Sequence, residues 1–106
     1  MNWKSEQFPH GWEYVARDAS GYIVGSIQFL IGTVSGAAWI EARHYDGPDH
    51  YGDTLLSHMI GQSGLSTRRR ALEIASNLRR NWPLVVAAGV GTGRQQSFGN
   101  LAECIN

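Results

Sequence analysis

The chain has little that could staple or anchor it. It holds one cysteine, Cys104, which excludes an intrachain disulfide framework and a cysteine-rich zinc site. No apolar run approaches the ~20 residues that span a bilayer as a helix. The first residues, Met1-Asn2-Trp3-Lys4-Ser5-Glu6, lack the apolar stretch of a signal peptide. A cytoplasmic protein without membrane contact is the expectation. Net charge is absent too, with nine Lys+Arg against nine Asp+Glu. That excludes a histone-like basic nucleic-acid binder and a polyanionic DNA mimic, though not a local patch. What is present suits one globular domain with a single core: 106 residues, 42% hydrophobic and 17% charged.

The charges are segregated along the chain. Residues 1–53 carry three basic and seven acidic side chains, residues 54–106 six and two, so the halves stand at −4 and +4. Either the halves neutralise each other on packing, or a basic face is left for an anionic partner.

Hydropathy of period two marks strands. Trp12, Tyr14 and Ala16 alternate with Glu13, Val15 and Arg17. Asp18-Ala19-Ser20-Gly21 has the Asp and Gly placement of a type I turn. In the run from Tyr22 to Ile31, residues Ile23, Ile27, Phe29 and Ile31 share a face, which Gly25 interrupts as a bulge or a close approach would. After the turn at 32–36, residues 37–45 alternate again, with Ala38, Ile40, Ala42 and His44 on one side. Three strands with short turns predict an antiparallel meander.

Leu55, Leu56, Met59 and Ile60 recur at helical spacing behind Asp53, which predicts a short helix over 54–61. The main helix is predicted over 66–82, stopped by Pro83. At about 100° per residue its Ala71, Ile74, Ala75, Leu78 and Trp82 converge on one stripe. Leu84 to Ala88 reads as a fourth strand. The fold class is therefore α+β: an antiparallel meander of three to four strands packed on one main amphipathic helix (66–82), plus a short helix.

Two clusters carry candidate chemistry. Arg68, Arg69 and Arg70 occupy the first turn of the main helix, where cations oppose the helix dipole by roughly 0.3–1 kcal/mol each. Guanidinium forks and free backbone donors there suit phosphate or carboxylate. Arg80 shares the outward face with Arg69, and Arg79 is near it. The basic set could follow a nucleic-acid backbone, grip an acidic protein surface, or simply be solvated.

The second cluster runs from Arg43 to Asp53. His44, Tyr45, His50 and Tyr51 suit a recognition loop, since tyrosine gives contact area at low entropic cost; a structural turn fits as well. His44, Asp46, Asp49, His50 and His58 are metal-ligating types, but their spacing matches no metal signature. No metal or other cofactor is expected. Gly89-Val90-Gly91-Thr92-Gly93 lacks the following helix and final glycine of a dinucleotide loop and reads as a turn. No nucleophile elbow or nucleophile–base arrangement is visible. Trp3, ahead of the first predicted strand, reads as a possible exposed interface anchor.

Gly21-Tyr22-Ile23-Val24-Gly25-Ser26-Ile27 resembles the central hairpin of N-acetyltransferases. The cofactor loop of that family is not matched, because Gln62-Ser63-Gly64-Leu65-Ser66 departs from it in spacing. In size and layout, residues 12–82 resemble small accessory proteins of phages and mobile elements, several anti-CRISPR proteins among them. That resemblance implies a non-enzymatic inhibitor or regulator that occupies the surface of a protein partner or nucleoprotein complex. It carries over no individual residue, and fold alone does not fix function. The expectation is thus a non-catalytic, monomeric or homodimeric protein-interaction inhibitor. Arg68, Arg69, Arg70, Arg79 and Arg80, with His44, Tyr45, His50 and Tyr51, would meet the partner. The alternative is a small nucleic-acid-binding regulator using the same arginines.

Overall fold

The structure, a computed structural model, describes residues 2–47 and 52–90. Five strands precede two helices: β1 (Asn2–Phe8), β2 (Gly11–Arg17), β3 (Ile23–Ile31), β4 (Ala37–His44), β5 (Asp53–Gln62), α1 (Leu65–Arg80) and α2 (Trp82–Val90). Each strand pairs antiparallel with its chain neighbour, so the order across the sheet is the order in sequence. The α+β class and the meander agree with the sequence reading, but the sheet has five strands and a second helix replaces the expected fourth strand.

Turn chemistry sets the registers. At 18–21 the Gly21 N–H donates to the Asp18 carbonyl at 3.0 Å, and Asp18 Oδ1 accepts from Ser20 N at 2.9 Å and Tyr22 N at 3.1 Å. This is the turn that Asp and Gly at those positions favour. It aligns Trp12, Tyr14 and Ala16 with Phe29, Ile27 and Gly25. Those residues face the helices, together with Ile40 and Ala42 opposite Phe29 and Ile27.

The core lies between this face and the helices. Trp12, Ile27, Phe29, Ile40, Leu55 and Leu56 from the sheet bury against Ala71, Ile74, Ala75 and Leu78 of α1 and Trp82 and Val85 of α2. Trp12 stacks on Phe29 with ring centroids 5.4 Å apart. The stripe predicted for the main helix is the buried one, although α1 ends at Arg80 and Trp82 opens α2. Pro83, which lacks an N–H, fits the first turn of α2, so it begins a helix as well as ending one.

Three readings are corrected. Residues 54–61 are strand, not helix. Residue 55 is skipped between the Leu56–Ala42 and Thr54–Arg43 pairs, and residue 60 between the Gly61–Ala38 and Met59–Trp39 pairs. These β-bulges break the period of two. Residues 84–88 lie in α2. Trp3 belongs to β1, paired with Ala16, and its ring meets Trp82 edge-on at 5.0 Å. No helix among the described residues is long and apolar enough to cross a membrane.

Candidate interaction surface

Helix α1 starts without the usual help. Its N-cap is Gly64, no side chain caps it, and no acidic residue stands in its first turn. The start is held instead by Arg68 N–H donating to the Gly64 carbonyl at 2.9 Å and by the Thr67 hydroxyl donating to the Gln62 carbonyl at 2.6 Å. The second bond ties the helix to the end of β5.

Along the solvent side of α1, Arg69, Leu72, Glu73, Ser76, Asn77 and Arg80 line one shallow open groove. The predicted alignment of Arg69 with Arg80 therefore holds in space. Arg68 and Arg69 are exposed. Arg80 is exposed too and donates to Asn77 Oδ1. Leu65 and Leu72 add exposed apolar surface to the same helix.

Arg79 is engaged with the sheet, and Arg70, itself exposed, acts toward it through its charge. The Arg79 guanidinium lies 4.0 Å from the centre of the Tyr14 ring, and its Nε donates to the Ala75 carbonyl at 3.2 Å. Arg70 acts electrostatically on His58 of β5: burial chiefly, then the Arg70 charge, hold that imidazole below its ordinary pKa. Arg79 thus braces the helix on β2, a role its sequence position did not disclose.

His44 and Tyr45 are half-buried. His44 Nε2 lies 3.6 Å from Asp46 Oδ1, while its Nδ1 is buried without a hydrogen-bond partner among the described residues. The Tyr45 hydroxyl lies 3.4 Å from Ser26 Oγ, and its ring covers Gly52 so closely that a Cβ there would fall 2.7 Å from Cε1. His50, Tyr51 and Asp49 lie outside the described residues, as do Arg94 and Cys104. Among the described residues no three metal-ligating side chains converge. Gly89 belongs to α2, and Gly91 to Gly93 lie outside the described residues.

The first turn of α1 does not meet the second cluster, although the far end of the helix approaches it: Trp82, two residues after Arg80, lies on Gly25, the cross-strand partner of His44. Arg68, Arg69 and Arg70 follow Gln62, which pairs with Ala37, whereas His44 pairs with Asp53 at the other end of the β4–β5 ladder. Those ends are a strand length apart, about 25 Å at about 3.3 Å per residue.

No family model, curated protein or solved structure matches the chain. The class that geometry defines among the described residues is a five-stranded antiparallel meander with two helices on one face and an arginine-bearing groove along α1.

Proposed function

We propose that the chain is a non-catalytic protein-interaction inhibitor or regulator, whose α1 groove occupies an acidic surface of a protein or nucleoprotein partner. The observation that supports this is the mixed character of the groove. Arg69 and Arg80 flank Glu73, with exposed Leu72 beside them. A carboxylate between two guanidinium groups opposes a phosphate backbone and suits a protein surface that offers both carboxylates and apolar contact. Arginine with apolar neighbours is also the composition of protein interface centres. The reading rests on α1, whose first turn stands a strand length from His44 and Tyr45.

The test compares wild type with an Arg69→Glu/Arg80→Glu variant as baits in a bacterial lysate, with and without nuclease. A stoichiometric protein complex that survives nuclease and is lost with the variant is the expected result. Binding that nuclease abolishes would overturn the reading in favour of nucleic acid. Affinity for duplex DNA would then fall linearly with log salt, at about −0.9 per phosphate contact.

A further inference from the structure

The face of the sheet turned away from the helices is organised in rows by the strand registers. One row crosses all five strands as Phe8, Gly11, Leu30, Trp39 and Met59. Its four large side chains are 46%, 42%, 42% and 50% exposed in chain order. Large apolar side chains scattered singly are ordinary on a surface; Leu30, Trp39 and Met59 on three adjacent strands, with Phe8 beyond Gly11, mark an interaction site. The next row reads Glu6, Glu13, Gln28, Glu41 and Ser57, and the one after it Lys4, Val15, Ser26, Arg43 and Thr54. Arg17 extends the basic side one step further along β2.

We propose that this face seats a second copy of the chain. The two sheets would pack face to face about a two-fold axis parallel to the rows, lying between the acidic and basic ones. Such an axis lays the glutamate row of each copy over the basic row of the other, so Glu6 and Glu41 meet the partner's Lys4 and Arg43. It brings the Leu30 and Trp39 end over the partner's Val24 and Tyr45 end.

The charge pattern selects this occupant. The face carries three carboxylates (Glu6, Glu13, Glu41) and three cations (Lys4, Arg17, Arg43), so a uniformly acidic or basic partner would be repelled by one row. A copy of the same face sets Glu6 against Lys4 and Glu41 against Arg43 in an isologous contact. Arg43 Nη2 already lies 3.4 Å from Glu41 Oε1 within the chain, and Gln28 Nε2 donates to Glu13 at 2.6 Å, so Glu6 and Lys4 carry the pairing that only a second copy supplies. The pattern also selects the axis. A two-fold along the strands would exchange β2 with β4 and set Glu13 against Glu41. Sheets pack face to face within about 30° of parallel, so rows about 6.6 Å apart keep their partners across the middle strands.

The surface is separate from the α1 groove, so its test is independent of the function proposed above. The full chain is examined by sedimentation equilibrium over a concentration series. Wild type is expected to dimerise. Glu6→Lys with Glu41→Lys should weaken the dimer at least about tenfold, and so should Lys4→Glu with Arg43→Glu, because like charges then face each other. All four substitutions together should restore it, since the rows have only exchanged sign. Leu30→Arg should abolish the dimer, and Leu72→Arg on α1 should leave it intact. A thermal melt of each variant confirms folding. A wild-type monomer at every concentration overturns the proposal, as does a dimer that ignores the reversals or a fourfold variant that fails to recover.

Discussion

The indole of Trp82 lies directly on the backbone of Gly25. A Cβ at residue 25 would fall 2.7 Å from Trp82 Cζ2 and 3.0 Å from Cε2. Gly25 is the one place where the buried face of β3 carries no side chain, and the first residue of α2 fills it. This contact joins the turn between the helices to the centre of the sheet.

Gly25→Ala should therefore destabilise by about 1–3 kcal/mol, the usual range for overpacking a filled core. Backbone conformation is not the cause, because Gly25 has an ordinary φ. Urea denaturation measures the change. A difference within the error of wild type would mean that Trp82 moves aside freely.

Trp82→Ala should cost about 3–5 kcal/mol, since the ring is 3% exposed and its removal opens a cavity. Trp3→Ala should cost less. A double-mutant cycle between the two should return a coupling of about 0.5–1.5 kcal/mol from their edge-on contact. Zero coupling would show that β1 does not lean on α2.

Replacing Arg68, Arg69 and Arg70 together by Ala should leave the melting temperature unchanged or raise it. Helix α1 begins at Leu65, earlier than its sequence pattern predicts, so Arg68 alone of the three stands in the first turn. That turn holds no acidic residue and no side-chain cap, and the dipole there meets only like charge. A marked fall would make these arginines structural. Stable folding with loss of partner binding would place their use in recognition.

The Arg79–Tyr14 contact should be measurable by itself. Tyr14→Leu keeps apolar bulk but removes the ring face under the guanidinium. The stacked pair should contribute about 0.5–1 kcal/mol, read from a cycle with Arg79→Gln. A null cycle would reduce Arg79 to an ordinary surface cation.

His58 sets a pH dependence. Its pKa is lower in the folded chain than its ordinary value, through burial and then Arg70. An imidazole shifted this way takes up its proton more readily when unfolded. Its contribution to stability is complete above the unfolded value of about 6.5 and is lost as pH falls through the lower folded value. Between about pH 7 and about pH 5, wild type should lose melting temperature faster than His58→Gln. Arg70→Gln should raise the His58 pKa only part of the way, because burial remains. An NMR titration of the imidazole decides this, and an unmoved titration would remove Arg70 from the account.

Some elements were legible in the sequence because one face of each is buried and the other is not. Trp12, Tyr14 and Ala16 alternate cleanly, and the α1 stripe of Ala71, Ile74, Ala75 and Leu78 is the buried set. Strand β1 left no such mark. It is an edge strand whose residues are exposed apart from half-buried Trp3, so its sequence has no alternation to read. Strand β5 left a misleading one. Its bulges let adjacent Leu55 and Leu56 both reach the core, and two neighbours buried together imitate helical spacing. The apolar run at 84–88 fits either a buried strand or a buried helix by pattern alone. Packing of Trp82 and Val85 against the sheet decided for helix.

Of the candidate site, the sequence by itself determined which residues carry charge and that Arg69 and Arg80 share a helix face, because helical period fixes that locally. It also determined the meander, through turn residues whose backbone preferences act over four positions. Only the tertiary structure decided that Arg79 braces α1 on Tyr14 while Arg69 stays in the open groove. It alone set His44 and Tyr45 a strand length from the first turn of α1, and aligned Phe8, Leu30, Trp39 and Met59 in one exposed row. Those relations depend on pairings between residues distant in the chain, which no local periodicity encodes.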